Sequence, residues 1–324
     1  MIRDHGKAQA LHIATYSGWY RFEQQNRHWI QTDRALTFWK MTSLQIDPED
    51  PGHVYLATEH SGLFFSDSGG ADWHRAKPNV PRLTTTSLLA LPGTILAGTV
   101  PAALYRASNG SSWQELEGVR LGATGGSFPP SPELGARTRF LAADNETPRR
   151  LYAAIEVGGM LISDDAGQRW TPATEGLDDP DVHQILPSAK TKGLVVAACG
   201  EGAYRSTDRG GHWEKVTPPG NRTFGSAVAE DGSGSVYLAM ALGRPNTWLR
   251  KERADAALFM SKDGTHWDII VEGLRGGIMA MCPAPDKHGI FASTSEGEVL
   301  HVDSDDSRTI ITGLPSITAL AMGA

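Results

Sequence analysis

Short apolar segments alternate with polar, glycine-bearing turns along the whole chain. The clearest succession is SLQID (43–47), HVYLAT (53–58), GLFFSD (62–67) and WHRAK (73–77). Each segment has the length of a strand rather than of a helix, and the intervening turns are short enough to join antiparallel neighbours. The pattern therefore predicts four-stranded antiparallel sheets, whose strands are called A to D in chain order.

A second pattern is a Ser/Asp/Gly turn that closes on tryptophan. Its copies are SDDAGQRW (163–170), STDRGGHW (206–213), SDSGGADW (66–73), SKDGTHW (261–267) and ASNGSSW (107–113). In such a hairpin turn the Ser and Asp side chains can accept backbone N–H groups, Gly takes a positive φ, and Trp packs between sheets. By the strand order above, these turns join strands C and D.

Tryptophan marks the repeats at intervals that bracket the roughly 40 to 50 residues of a four-stranded propeller blade. The marker positions are Trp29, Trp73, Trp113, Trp170, Trp213 and Trp267. A seventh copy, GIFASTSE (289–296) followed by EVLHVDSDDSRTIIT, lacks the tryptophan. We therefore predict an all-β, seven-bladed β-propeller that forms one domain over residues 1–324. The predicted blades cover about 11–37 plus 316–323, 43–80, 86–117, 138–175, 183–217, 225–271 and 278–312.

The two ends of the chain carry complementary strand patterns. The segment ALHIATYSG near the start has the pattern of a strand B, and SITALAMGA near the end has that of a strand A without a blade of its own. Pairing the two would complete the first blade and remove the exposed edges of an open sheet. The sequence therefore predicts that the C-terminal strand closes the ring.

The tryptophan-closing turns resemble the Asp box, S-x-D-x-G-x-x-W, of the BNR-repeat propellers in the YVTN/BNR-like superfamily. That superfamily includes sialidases, sortilin-type receptors and photosystem assembly factors of the Ycf48 type. The resemblance covers nearly the whole chain and implies the propeller fold, because the box is a folding device and not a catalytic motif. A sialidase would need an arginine triad, a Tyr/Glu nucleophile pair and an acidic Asp, and these are not identifiable in the sequence.

Composition and charge narrow the range of partners. The chain has 36 Gly, 19 Pro and 9 Trp, as expected for many short strands, and a formal net charge of -7, which disfavours binding to nucleic acid. No apolar stretch is long enough to cross a bilayer, and the start lacks a signal-peptide core. Cys199 and Cys282 show neither disulfide-scaffold nor zinc spacing. We expect a cytoplasmic monomer with no nucleic-acid or membrane partner.

Two insertions fall on the face opposite the Asp boxes, where B–C and D–A connections surround the central funnel. The first, 118–138, could cover the funnel as a lid or form a surface loop. The second, 242–257, lengthens a B–C turn and carries Arg244, Trp248 and Arg250. These residues suit an anion or a glycan, although a solvated charged loop is the alternative.

Polar residues also align at the mouth of strand A. The aligned positions are Ser43, Ser87, Arg139, His183, Ser226 and Met279. His183 could act as a general base or proton donor near neutral pH, and Arg139 could hold an anion. The alternative is that both bond to water and carbonyl groups lining the channel. Further stacking or charge for a ligand could come from Trp39, Tyr16, Arg222 and Arg275.

Carboxylates recur one to three residues beyond strand B. Glu59 with His60, Glu156, Glu201 and Glu296 occupy these positions. Converging like charges would raise one another's pKa, which suits Glu156 and Glu201 for acid/base work beside His183. His60, Glu59 and Glu296 could instead ligate a divalent metal. The alternative is that each Glu is a solvated turn residue.

These residues predict that the funnel binds a polar, anionic small molecule or saccharide, and whether it also catalyses a reaction stays open. One alternative is a protein-interaction or assembly-factor scaffold that docks a protein partner through the Arg-rich insertion. Another is a metal-dependent lyase or isomerase, or a glycosidase-like hydrolase.

Overall fold

The computed structural model describes residues 9–108, 112–119, 136–248 and 254–323. Within them, strands numbered in chain order form seven four-stranded antiparallel sheets, which confirms the predicted seven-bladed all-β propeller. Blade one contains β28 (Ile317–Gly323), β1 (Ala10–Thr15), β2 (Gly18–Gln25) and β3 (His28–Ala35). Blade two contains β4 (Met41–Ile46), β5 (Val54–Thr58), β6 (Leu63–Ser66) and β7 (His74–Arg75).

The other five blades repeat this A–B–C–D order. Blade three contains β8 (Thr85–Leu91), β9 (Thr94–Thr99), β10 (Leu104–Ser108) and β11 (Gln114–Leu116). Blade four contains β12 (Arg137–Ala143), β13 (Leu151–Glu156), β14 (Gly159–Ser163) and β15 (Thr171–Pro172). Blade five contains β16 (Val182–Pro187), β17 (Val195–Cys199), β18 (Gly202–Ser206) and β19 (Glu214–Val216).

Blade six contains β20 (Phe224–Glu230), β21 (Val236–Ala241), β22 (Ala256–Ser261) and β23 (Asp268–Leu274). Blade seven contains β24 (Ile278–Pro283), β25 (Ile290–Thr294), β26 (Val299–Val302) and β27 (Ser307–Ile311). A one-turn helix, Pro245–Trp248, lies in the connection between β21 and β22. Among the described residues, the helices are all too short or too polar to traverse a lipid bilayer.

The ring closes through the C-terminal strand, as predicted. Strand β28 pairs antiparallel with β1, from Ala10 opposite Gly323 to Thr15 opposite Ile317. The side chains of Ile317 and Leu320 are buried against Leu11, which belongs to blade one, and against the neighbouring blade seven. Blade one is therefore built from both ends of the chain, and β1 has no exposed edge.

The tryptophan-closing turns show the side-chain chemistry expected of them. In the turn after β18, Ser206 Oγ accepts the Gly210 N–H at 2.8 Å, and Asp208 Oδ1 accepts the His212 N–H at 2.9 Å. Gly210 has a φ of 88°, which an L side chain rarely adopts. Trp213 is 1% exposed and packs among core residues of blades four and five. The turn thus joins two strands and fills the gap between two blades.

Every innermost strand carries a β-bulge at one residue. The bulged residues are Thr42, Thr86, Arg139, His183, Ser226, Met279 and Thr318. A bulge adds one residue to one strand and redirects its side chain. The sequence alignment was wrong for blades two and three, because Ser43 and Ser87 return to the ladder opposite Ala57 and Gly98.

A buried histidine makes the fold sensitive to acid. His12 is 2% exposed, and its Nδ1 has no hydrogen-bond partner among the described residues. Burial, and secondarily the charge of Arg21, lower its pKa from 6.5 to about 4. Since the unfolded chain binds the proton first as the pH falls below 6.5, the free energy of unfolding should decrease between that pH and about 4.

We expect His12→Gln to remove this part of the acid sensitivity. Between neutral pH and pH 5, wild type should lose about 2 kcal/mol of stability more than the variant, because only wild type contains the neutral buried imidazole. Urea unfolding at the two pH values measures the difference. The control His60→Gln changes an imidazole whose side chain is 80% exposed and should follow wild type. Equal losses in wild type and His12→Gln would contradict the prediction.

Candidate functional site

A buried polar cluster lies at the funnel mouth of blades four and five, on the face opposite the tryptophan-closing turns. Glu156 ends β13, and Asp181 and His183 lie immediately before and within β16. One ligand atom from each of the three lies within 4.8 Å of the others, and all three residues are buried. This is the place where the structure brings together two of the predicted catalytic residues, Glu156 and His183.

The bulge at His183 places its ring in a contact that determines which ring nitrogen carries the proton. Its Nδ1 lies 2.7 Å from the carbonyl oxygen of Gly225 in blade six. Because a carbonyl only accepts, Nδ1 carries the proton in this contact, which leaves Nε2 to face Asp181 Oδ1 at 3.4 Å. The ring also packs on Phe224, with 4.7 Å between ring centroids. Nε2 is therefore the atom of His183 that can accept or deliver a proton towards the funnel.

Asp181 is held ionised beside this ring. Burial alone would raise its pKa, but the interaction with His183, followed by the charges of Arg244 and Arg139, lowers it. Asp181 Oδ1 is buried and has no hydrogen-bond partner among the described residues, although His183 Nε2 lies 3.4 Å from it. A proton shared between the ring and the carboxylate would satisfy this acceptor.

Both carboxylate oxygens of Glu156 are paired with an arginine of its own blade. Its two oxygens accept hydrogen bonds from Nε and Nη2 of Arg137, its partner in the β12–β13 ladder. Burial opposes ionisation, yet the Arg137 hydrogen bond and the charges of Arg139 and Arg137 lower the pKa of Glu156. The expectation that converging carboxylates raise one another's pKa is wrong for Glu156, because guanidinium groups surround it instead.

Two further guanidinium groups are only loosely paired. Arg139 Nε lies 3.7 Å from Glu156 Oε2, and 38% of the Arg139 side chain is exposed. Arg244 Nη2 lies 3.9 Å from Asp181 Oδ2, with 57% of its side chain exposed. Among the described residues, neither side chain has a partner within hydrogen-bonding distance. Each guanidinium therefore retains N–H donors that no carboxylate of the described residues uses in a hydrogen bond.

The predicted Arg-rich insertion carries two further ligand-binding candidates, Trp248 and Arg250. Trp248 donates its indole N–H to the Gly243 carbonyl at 2.7 Å and lies against Phe224 and Gly277. It thus packs against Phe224, the aromatic ring that contacts His183. Arg250 falls outside the described residues.

Two predicted ligand-binding residues have structural partners. Arg222 is 7% exposed at its side chain, donates to the Asp255 carbonyl at 2.6 Å and lies 3.7 Å from Glu272. Trp39 donates its indole N–H to Ser61 Oγ at 2.9 Å. Both side chains join neighbouring connections on the funnel face, so few of their N–H donors remain available to a ligand.

The remaining predicted ligand and acid/base residues lie on the same face but outside the cluster. Tyr16 is half exposed, with Lys40 Nζ 4.4 Å from its ring centroid. Glu201 is exposed, and its backbone N–H donates to Asp179 at 2.6 Å. Arg275 is exposed. These residues lie on connections of the funnel face and are not members of the cluster.

The predicted metal ligands are not brought together. Among the described residues, the group with the geometry for an ion is Glu156, Asp181 and His183 and does not include Glu59, His60 or Glu296. Glu59 instead pairs with Lys40 at 3.0 Å. Because Arg137 occupies Glu156 and two more guanidinium groups lie nearby, the charge of the cluster suits an anion better than a divalent cation.

Two members of the cluster, Asp181 and Arg137, were missed from the sequence. Each lies two residues before a residue that was identified, namely His183 and Arg139. Their closeness in sequence to His183 and Arg139 was the signal available, whereas the period of two of a regular strand is interrupted by the bulges at those residues.

No protein-family model and no curated protein matches the chain. A GH74 xyloglucanase from Xanthomonas campestris superposes with a TM-score of 0.70 at 19% identity, over 93% of this chain and 51% of that one. A structure of YCF48 bound to D1 peptide gives 0.58 at 13% identity, over 94% and 86%. YCF48 from Cyanidioschyzon merolae gives 0.57 at 12%, over 94% and 90%.

These similarities concern the fold. The chain spans about half the length of the xyloglucanase, and all of the identities are low. The seven-bladed ring therefore shares its fold with the GH74 and YCF48 propellers. Function has to be argued from the site itself.

Proposed function

We propose that the funnel binds a polar, anionic small molecule or saccharide and that a sugar carrying a carboxylate fits it best. The observation that supports this most directly is the pair of loosely partnered guanidinium groups, that of Arg139 beside Glu156 and that of Arg244 beside Asp181. A guanidinium presents a planar fork of donors that matches a carboxylate. The ligand carboxylate would bind there.

The neighbouring acceptors suit the hydroxyl groups of the same ligand. The Asp181 side chain keeps 11% of its surface exposed beside the Arg244 guanidinium, and His183 Nε2 lies 3.4 Å from its Oδ1. A sugar hydroxyl can donate to the carboxylate and accept from a protonated ring. If the ligand is converted, His183 Nε2 would move the proton, and Glu156, held ionised by Arg137, would not serve as the acid.

We expect Arg139→Gln to weaken the binding of glucuronate by roughly 10- to 100-fold, because one charge-assisted hydrogen-bond pair is lost. Titration calorimetry with glucuronate and with neutral glucose measures this. The control Arg169→Gln removes an arginine that is 89% exposed on the opposite face and should leave the affinity unchanged. Equal affinity for glucose and glucuronate, or unchanged glucuronate affinity in Arg139→Gln, would contradict the proposal.

A protein partner docking on the same face is the second candidate. It is supported by the exposure of Arg244 and by a structural neighbour that was solved with a peptide. Affinity capture from the native cell with the full chain and with Arg244→Glu tests it. A stoichiometric partner that the variant loses supports docking, whereas capture of the same partner by both chains argues against this surface.

A further inference from the structure

A cleft of about 480 Å³ opens between blades two and three on the face that carries the tryptophan-closing turns. Its walls include Asp47, His53, Tyr55, Phe65, Asp67 and Trp113. We call it the blade-two cleft. Its volume lies within the usual range of small-molecule sites, and its lining combines aromatic rings with a few carboxylates. It lies on the face opposite the funnel, so it is independent of the proposed anion site.

Blade four provides a comparison within the same molecule, because the position that corresponds to the cleft has the same arrangement of residues but is filled by an arginine side chain. The Asp144 N–H donates to the Arg150 carbonyl, just as the Asp47 N–H donates to the His53 carbonyl. Arg150 is therefore the counterpart of His53. Tyr152, two residues after Arg150, is likewise the counterpart of Tyr55.

In blade four the arginine fills the gap to the next blade. Arg150 Nη1 bonds to Asp164 at 2.8 Å, and its Nη2 donates to the Arg209 carbonyl of blade five at 3.1 Å. The guanidinium carbon lies 5.9 Å from the Tyr152 ring centroid. Tyr152 OH donates to Asp144 Oδ2 at 3.3 Å. One guanidinium thus joins an aspartate, an aromatic ring and the neighbouring blade.

In blade six, the aspartate at the corresponding position is reached by a different donor. The counterpart of Asp47 there is Asp231, whose N–H donates to the Ser235 carbonyl. Asp231 Oδ2 accepts the Gly289 N–H of blade seven at 3.1 Å. A donor from outside the blade therefore reaches this aspartate in blade six.

Blade two retains the acceptors but has a shorter side chain in place of the arginine. His53 Nδ1 pairs with Asp67 Oδ1 at 2.6 Å, in the way that Arg150 pairs with Asp164. The imidazole stacks on Phe65 at 5.7 Å and lies 4.5 Å from the Tyr55 ring. The cleft lies beside this pair, where a longer side chain occupies the corresponding gap in blade four.

The charge of the cleft favours a cation. Its described lining includes four carboxylates and one lysine, Lys77. Burial, and then the charges of Asp47, Asp67 and Asp50, raise the pKa of Tyr55 to about 12, as expected where the potential is negative. Aromatic walls add a cation–π surface, for which guanidinium groups are good partners.

We propose that the blade-two cleft binds a guanidinium group, which would take the place that Arg150 fills within blade four. The group can belong to a free metabolite or to an arginine side chain of a partner protein, and both present the same planar set of donors. Asp47 and Asp67 would accept its hydrogen bonds, and the Tyr55 and Phe65 rings would pack against its faces.

Agmatine tests the site with the full chain, and N-carbamoylputrescine, which has a neutral urea in place of the guanidinium and keeps the same ammonium, is the comparison. We expect agmatine to bind at least about tenfold more tightly in calorimetric or NMR titration, because the urea lacks the charge that the carboxylates select. The blocked peptide acetyl-Gly-Arg-Gly-amide distinguishes the sources. Tighter binding of the peptide indicates a protein partner, and tighter binding of agmatine indicates a metabolite.

Two variants make the test specific. His53→Arg reproduces the arginine of blade four and should abolish agmatine binding without lowering Tm. Asp47→Asn keeps an oxygen for the Glu49 and Asp50 N–H groups that Asp47 accepts and should weaken binding about tenfold. The control Arg139→Gln, on the other face, should bind agmatine as wild type does. Equal affinity for agmatine and N-carbamoylputrescine, or wild-type affinity in both cleft variants, would overturn the proposal.

Discussion

A chain truncated after residue 315 is expected to lose its cooperative unfolding transition, because it lacks the strand that closes the ring. Removing β28 breaks a ladder of six residue pairs with β1 and uncovers the buried face to which Ile317 and Leu320 contribute. Burial of each such side chain contributes about 1.5–3 kcal/mol, whereas a whole domain has a net stability of only about 5–15 kcal/mol. Circular dichroism during thermal unfolding and light scattering measure the loss and the resulting association through the exposed β1 edge.

A circular permutant provides the matched control. Moving residues 316–323 in front of residue 9 through a short Asn-Gly turn gives blade one the continuous A–B–C–D order of the other blades, since Gly323 already pairs with Ala10. The permutant should unfold cooperatively with a Tm close to that of wild type. A truncated chain as stable as wild type, or a permutant that does not fold, would show that β28 is not what closes the ring.

The fold could be predicted from the sequence because its determinants are local and repeated. The best-preserved tryptophan-closing turns carry a Ser, an Asp and a Gly at a fixed spacing, as in Ser206, Asp208 and Gly210, and these residues bond to one another within a few positions. The pairing of β28 with β1 spans the whole chain. It could still be predicted, because one strand pattern was missing at the start and one was in excess at the end.

The site was less predictable because its contacts join different blades. Register within a blade does not show that His183 bonds to Gly225 of blade six or that Arg244 approaches Asp181. The bulges add a further uncertainty of one residue, which moved the aligned position from Ser43 to Thr42. Sequence spacing therefore placed Glu156 and His183 on the same face, while their pairing and charge state required the three-dimensional arrangement.

Replacing Glu156 by leucine is expected to destabilise the protein by about 3 kcal/mol, because it leaves Arg137 without its acceptor and beside the like charge of Arg139. This expected loss of stability lies at the lower end of the range for breaking a buried ion pair, because about a third of the Arg137 side chain is exposed to solvent. Urea unfolding of the single variant measures it.

The double variant Arg137→Met/Glu156→Leu should recover most of the lost free energy of unfolding, because an apolar pair of similar size avoids burying an unpaired charge. The control Glu214→Leu breaks the pair between Arg205 and a glutamate that is 58% exposed, and it should cost less than about 1 kcal/mol. If Glu156→Leu costs no more than Glu214→Leu, the Arg137–Glu156 pair does not stabilise the funnel mouth. If the double variant is stable but still binds glucuronate, Arg139 does not need this pair beside it to hold an anion. Loss of binding at full stability would instead show that the Arg137–Glu156 pair positions Arg139.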